Sequence, residues 1–206
     1  MKSIPIPYGW NVPVKCYPRK GSNKEKKESL TVRTTTERIR AFDNITGNAI
    51  PQAMYYRMLE EGFFTAPASE KYHGNYPGGL YDHSEMVALT LMDLTKRLEL
   101  KWERPESPYI IGFLHDYCKV DEYTENELGI YAYNGETLLK GHGDKSAILT
   151  IKDADLSNEE IACIRYHMGA YEGEEAWKSL GTAIKKYPNV LWTHTADMYA
   201  SQIVGI

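Results

Sequence analysis

Phe113-Leu114-His115-Asp116-Tyr117-Cys118-Lys119 is the stretch that decides how this chain is read. It closes an apolar run that opens after Pro105, and the pattern predicts a helix over residues 107–118 that ends on the charged segment. Neighbouring residues on a helix point about 100° apart. A His–Asp pair therefore converges on one ion only at a helix end, or beside two ions that it bridges. Aspartate suits the bridging task because each of its oxygens can bind a different cation.

Other residues able to bind metal fall around this pair. The chain has six histidines, and His83, His115, His142, His167 and His194 lie at the ends or on the faces of predicted helices. Taken singly, each is more often a surface or hydrogen-bonded structural histidine than a ligand. Near the C-terminus, Trp192-Thr-His-Thr-Ala-Asp-Met198 sets His194 and Asp197 one turn apart on one helix face. The two residues can address the same site.

The periodicity predicts a mostly α fold in a single domain over residues 51–206. Helices are expected at 51–62, with Pro51 at the start and Gly62 as the stop, at 80–98 after a Pro-Gly-Gly turn, and at 143–152. Two more are expected at 157–167, where Ser157 and Glu160 form a capping box, and at 188–204. Between 121 and 141 the pattern switches to a small β-hairpin insertion, with Asn134-Gly135 as its two-residue turn. Residues 1–50, rich in Pro, Gly, Lys, Arg and Thr, are expected to form an irregular N-terminal extension or a short hairpin, and the lysine-rich 20–29 stretch within them a solvated loop.

Composition narrows the function. A length of 206 residues supports one core of ordinary size. A formal net charge of −4 disfavours a stable complex with long nucleic acid, whose binders carry a basic excess. Cys16, Cys118 and Cys163 show no CxxC spacing, which fits a reducing compartment. With no apolar signal region and no run approaching the ~18 residues of a membrane span, a cytoplasmic location without membrane contact is expected.

The order His83, His115-Asp116, His142, His167, Asp197 resembles the HD-domain superfamily of metal-dependent phosphohydrolases. More narrowly, His73-Gly-Asn-Tyr-Pro-Gly-Gly-Leu-Tyr-Asp-His83, Leu114-His-Asp-Tyr-Cys-Lys119, Gly141-His142 and Tyr166-His-Met-Gly169 look like the HD domain of bacterial 3'-to-5' exoribonucleases, over residues 70–204. The resemblance implies that His83, His115, Asp116 and Asp197 hold one divalent transition metal. His142 and His167 hold a second, with Asp116 bridging. Imidazole and carboxylate ligands suit Mn, Fe, Ni or Zn, and such a pair activates water while neutralising phosphoryl oxygens.

The resemblance further places Lys119 near a bound phosphate, where the ordinary reading is a cation at a helix end. It places His73 where it can protonate a leaving oxygen, whereas the plain alternative is a loop histidine without a role. His194 is read as orienting a ligand rather than binding metal itself. Met168 stands where members with three metals have another histidine, which disfavours a third ion. The N-terminal region is too short for the nucleic-acid-binding barrel of the exoribonucleases. The expected activity is hydrolysis of phosphate esters in a nucleotide or short oligonucleotide. An HD-type di-iron oxygenase is the alternative, and a non-catalytic module built on a degenerate HD fold is a third reading.

Overall fold

The computed structural model describes residues 33–172 and 174–206, and its architecture is a bundle of short helices with one two-stranded hairpin. The helices are α1 (Thr35–Thr46), α2 (Gln52–Glu60), α3 (Gly79–Leu98), α4 (Ser107–Leu114), α5 (His142–Ala154), α6 (Asn158–Tyr166), α7 (Glu174–Lys186) and α8 (Asn189–Met198). Among the described residues no helix is long and apolar enough to cross a membrane. The mostly helical fold with a small hairpin is the one expected from the sequence.

The α3–α4 pair is the axis of the bundle. Gly112 makes their contact possible, because a Cβ there would stand 2.4 Å from the Cα of Ala88. On one side of this pair Phe42 of α1, Met54 and Met58 of α2, Phe63, Phe64, Tyr81 and Phe113 form an aromatic-rich core. On the other, Val87, Leu91 and Ile111 pack against Cys163 of α6 and Val190, Ala196 and Ala200 at the C-terminal end. Both cores are needed to fix the ends of α3 and α4 that carry His83 and His115.

Charged groups tie the remaining elements to this axis. The buried Arg38 of α1 donates from Nε and Nη2 to the two oxygens of Asp82, at 3.0 and 2.8 Å, and from Nη1 to the carbonyl of Arg33. Bidentate pairing of this kind fixes geometry as well as adding energy. Gly78, at φ +85°, lies against that guanidinium, and a Cβ there would stand 2.2 Å from Arg38 Cζ, so the turn into α3 requires glycine on both counts. Farther along, Ser157 caps α6 with Glu160 in the expected capping box, and the fully buried Glu160 also accepts from Ser107 Oγ (2.7 Å) and Arg104 Nε (3.1 Å). This ties the start of α4 to the start of α6.

Several local expectations are corrected. Within residues 1–50, the segment Thr35–Thr46 is a helix that packs Ala41 and Phe42 into the core, not irregular chain, and Thr34 with Glu37 caps it. The lysine-rich 20–29 stretch lies outside the described residues. The helix expected over 107–118 stops at Leu114, and a 3-10 turn, Tyr117–Val120, follows. The hairpin pairs β1 (Tyr123–Glu125) with β2 (Tyr131–Tyr133), Tyr123 opposite Tyr133. Its connection is 126–130, where Asn126 Oδ1 accepts from the main chain of Leu128 and Ile130. Asn134-Gly135 is the exit from β2, with Asn134 Nδ2 bonded to the carbonyl of Asp121. α7 was not expected, and the helix expected over 188–204 divides into α8 and a π-helical turn, Tyr199–Val204.

The α3–α4 contact yields a direct test. Gly112→Ala forces the two helices apart and is expected to cost about 1–3 kcal/mol of stability, the usual range for overpacking. Urea denaturation of the two proteins measures it, and an unchanged midpoint would contradict the close packing.

Candidate metal centre

His115 and Asp116 stand where α4 gives out. His115 still has helical dihedrals (φ −58°, ψ −38°), whereas Asp116 has left them (φ −106°, ψ 22°) before the 3-10 turn begins. This break lets two neighbouring side chains point into one volume. α3 brings His83 to the same volume, the start of α5 brings His142, the end of α6 brings His167 and α8 brings Asp197. His83, His115, Asp116, His167 and Asp197 are all buried.

Each oxygen of Asp116 faces a different set of donors. Oδ2 lies 3.5 Å from Nε2 of both His83 and His115 and 2.6 Å from Lys119 Nζ. Oδ1 lies 3.3 Å from His167 Nε2 and 3.8 Å from His142 Nδ1. Asp197 Oδ1 stands 3.2 Å from His83 Nε2.

Three of the rings are held in one orientation by main-chain oxygens. Nδ1 of His83 donates to Ile206 O (2.8 Å), Nδ1 of His115 to Gly112 O (2.9 Å) and Nδ1 of His167 to Ile164 O (2.7 Å). A neutral imidazole that donates from Nδ1 presents a bare lone pair at Nε2. The Nε2 atoms of His83 and His115 nevertheless face each other at 3.2 Å. Two ligands on one ion with metal–nitrogen bonds of 2.0–2.1 Å sit roughly 2.9–3.4 Å apart, so this is ligand spacing. Asp116 Oδ1, His167 Nε2 and His142 Nδ1 are buried with no hydrogen-bond partner. Buried groups of this kind are costly unless a cation or proton stands among them.

The electrostatics agree with the geometry. Burial pushes the His115 ring down to about 3, so it stays neutral. Burial alone would raise the Asp116 and Asp197 carboxyls, but Lys119 and His115 around the first and His83, His115 and His167 around the second hold both well below the usual carboxylate range. Burial disfavours the charged form of His167, yet the Asp116 carboxylate outweighs it and raises that ring. Lys119, also buried, is raised by Asp116 and keeps its charge. One ammonium thus stands against two buried carboxylates.

All eight residues expected at the site lie in this cluster or at its edge. His73 is at the edge, its ring 4.9 Å from that of His83, and burial followed by repulsion from His83 and Lys119 lowers it to about 4. His194 is not among the donors. Its Nδ1 bonds the main-chain oxygen of His167 at 2.6 Å, linking α8 to the end of α6. Sequence reasoning missed Cys118 and Glu122, although both lie within seven residues of His115. Grouped by geometry, three sets of donors among the described residues can hold a metal ion: His83, His115 and Asp197; His115, Asp116 and His167; and Asp116, Cys118 and His142. A separate cleft of about 390 Å³ between α6 and α7, lined by Tyr166, Lys178, Lys186 and Tyr187, contains none of them.

The class defined here is a helical domain with a buried His/Asp cluster able to hold a metal ion. Comparison of the chain with protein-family models, curated proteins and solved structures finds no match.

The rings also set how stability of the metal-free protein depends on pH. His115 and His73 stay neutral in the fold to about 3 and about 4, whereas the unfolded chain takes up protons near 6.5, so their contribution is present above that pH and lost as pH falls. His167 is raised, so its contribution is complete below 6.5 and lost as pH climbs through its folded value. Together the three rings give a stability maximum near pH 6.5. Thermal melts in chelator across this range test it, and a midpoint that keeps rising as pH is lowered below 6.5 contradicts it.

Proposed function

We propose that this chain is an HD-type metal-dependent phosphohydrolase, acting on phosphate esters of a nucleotide or a short oligonucleotide. The observation that carries the reading is Asp116, buried, with one oxygen toward His83 and His115 and the other toward His142 and His167. A carboxylate placed between two such sets suits a bridge between two cations. On this reading His83, His115, Asp116 and Asp197 hold one ion, and His142 and His167 with Asp116 hold the other, with Mn, Fe, Ni and Zn all compatible with the donors. When bound, the ions supply Lewis acidity toward phosphoryl oxygens and a nucleophile at neutral pH.

The chain's own residues do the rest. Lys119 keeps its proton in the interior and brings a fixed positive charge beside Asp116, suited to a phosphate oxygen. His73 is neutral at physiological pH, and its Nε2 is buried without a partner, so the ring is free to hydrogen-bond a leaving oxygen. His142, about one-third exposed, marks the side on which the cluster meets solvent. An opening on one side favours a small anion or a chain end over a long duplex.

The test is hydrolysis of a generic phosphodiester, nucleoside mono- and triphosphates, and short labelled RNA and DNA in manganese, with Asp116→Ala beside the wild type. Because a bound metal contributes several kcal/mol of transition-state stabilisation, Asp116→Ala is expected to lose about 10²–10⁴-fold in kcat/KM while keeping a native circular dichroism spectrum. Equal metal-dependent rates in the two proteins sink the assignment. Bound iron with oxygen consumption, and no phosphate-ester cleavage, replaces it with the di-iron oxygenase.

A further inference from the structure

On the open side of Asp116 stands a donor that the proposed ligand set does not use. Cys118 follows Asp116 by two residues in the 3-10 turn and is fully buried. A buried thiol is ordinarily inert packing, but this one lies among polar groups. It donates to Glu122 Oε2 at 3.6 Å, and its own main-chain N–H donates to Ser146 Oγ at 3.0 Å. Glu122, also buried, turns its other oxygen to His142 Nε2 at 3.5 Å. Among the described residues no lysine or arginine pairs with this carboxylate.

His142 is therefore reversed relative to the other three rings. They present Nε2 to the cluster, whereas His142 turns Nε2 to Glu122 and Nδ1 to Asp116 Oδ1. Both of those facing atoms are buried and unpartnered. Cys118, Asp116 and His142 each offer one donor atom, all within 4.8 Å of one another. Tetrahedral ligands with bonds of 2.0–2.3 Å sit roughly 3.3–3.8 Å apart, so a contraction of about 1 Å, within reach of side-chain rotation, closes them on an ion.

We propose that Cys118, with His142 Nδ1 and Asp116 Oδ1, forms a mixed sulfur, nitrogen and oxygen site for a thiophilic divalent cation such as zinc, and that Glu122 is the positioning residue that holds His142 with Nδ1 inward. The proposal rests on the metal-binding reading of the Asp116 cluster and is independent of phosphate-ester hydrolysis. On coordination the S–H bond breaks, the proton passes to Glu122 Oε2, and a sulfur–metal bond forms without change of oxidation state. Thiolate is a soft ligand and selects zinc or iron over manganese and magnesium.

Cobalt(II) is the probe, added to the full chain without oxygen, with bound metal counted and the near-ultraviolet thiolate-to-cobalt charge-transfer band recorded. Two complementary proteins locate the thiolate. The double variant Cys16→Ser/Cys163→Ala leaves Cys118 as the sole thiol of the chain's three and is expected to keep the band. Cys118→Ser is expected to lose it while the His83, His115 and Asp197 set still binds cobalt. Either result alone decides if the other protein fails to fold. Cobalt bound to the wild type without the band, or a band that survives in Cys118→Ser, overturns the proposal. A wild type that binds no cobalt at all fails at the earlier step, the metal centre itself, and takes this proposal with it.

Discussion

The structure depends on holding together groups that repel one another. Two buried carboxylates, Asp116 and Asp197, and the bare nitrogens of several imidazoles share one small volume, and among the described residues the ammonium of Lys119 is set against them. Taking one carboxylate out of water costs several kcal/mol even after relaxation. A chain under no other demand would fill this space with leucine. The remainder of the fold supplies what the site costs, chiefly the two apolar cores on either side of the α3–α4 pair.

That constraint explains how the donors are attached. They come from α3, the end of α4, α5, α6 and α8, and the inward histidines at the ends of α4 and α6 are each fixed by a main-chain carbonyl. Carbonyls are rigid acceptors, so the ring orientation is set by backbone geometry and survives thermal motion of neighbouring side chains. The two carbonyls, of Gly112 and Ile164, lie three residues before their histidines, at helix ends where carbonyls lack intrahelical partners. The end of a helix therefore does two tasks: it frees a carbonyl to hold the ring, and it lets the next residue turn inward.

The sequence carried the donors more clearly than the backbone around them. His83, His115, Asp116, His142, His167 and Asp197 could be singled out as a set because their order resembles that of the HD-domain superfamily; the placing of the histidines at the ends or on the faces of predicted helices would not have sufficed alone. α1 escaped notice because the composition of residues 1–50 hid a capping box, Thr34 to Glu37, that stood in plain view. α7 was overlooked although its pattern was legible: Ala176 is buried and Leu180, Ala183 and Ile184, spaced along one face, pack against the second core. The break at Leu114 was hidden because the apolar run continues through Tyr117 and Cys118, and period alone cannot tell an α-helix that ends from one that tightens into a 3-10 turn. The turn at Asn134-Gly135 misled because its dipeptide is a strong hairpin signal, whereas Asn126, bonding two main-chain amides, had already closed the loop. Glu122 and Cys118 were passed over although they lie close to His115 in sequence, because nothing in their spacing pairs them with His142, which only the fold brings near.

The two sides of Asp116 are not equivalent, and the difference follows from burial. On one side His83 and His115 are fully enclosed, and His83 is held from behind by the main-chain oxygen of Ile206, two residues beyond the π-helical turn. On the other side His142 is about one-third exposed, and its orientation relies on Glu122, a side chain, in place of a carbonyl. Side-chain support is softer than backbone support, because it adds rotamer freedom to the geometry being fixed. The donors on the enclosed side are thus held more rigidly than those on the open side, which can shift. If the cluster works on phosphate esters as proposed, the open side is where an incoming anion can meet a cation without first dismantling the cage. Lys119 reaches Oδ2, on the enclosed side, and leaves Oδ1 facing His142 and His167.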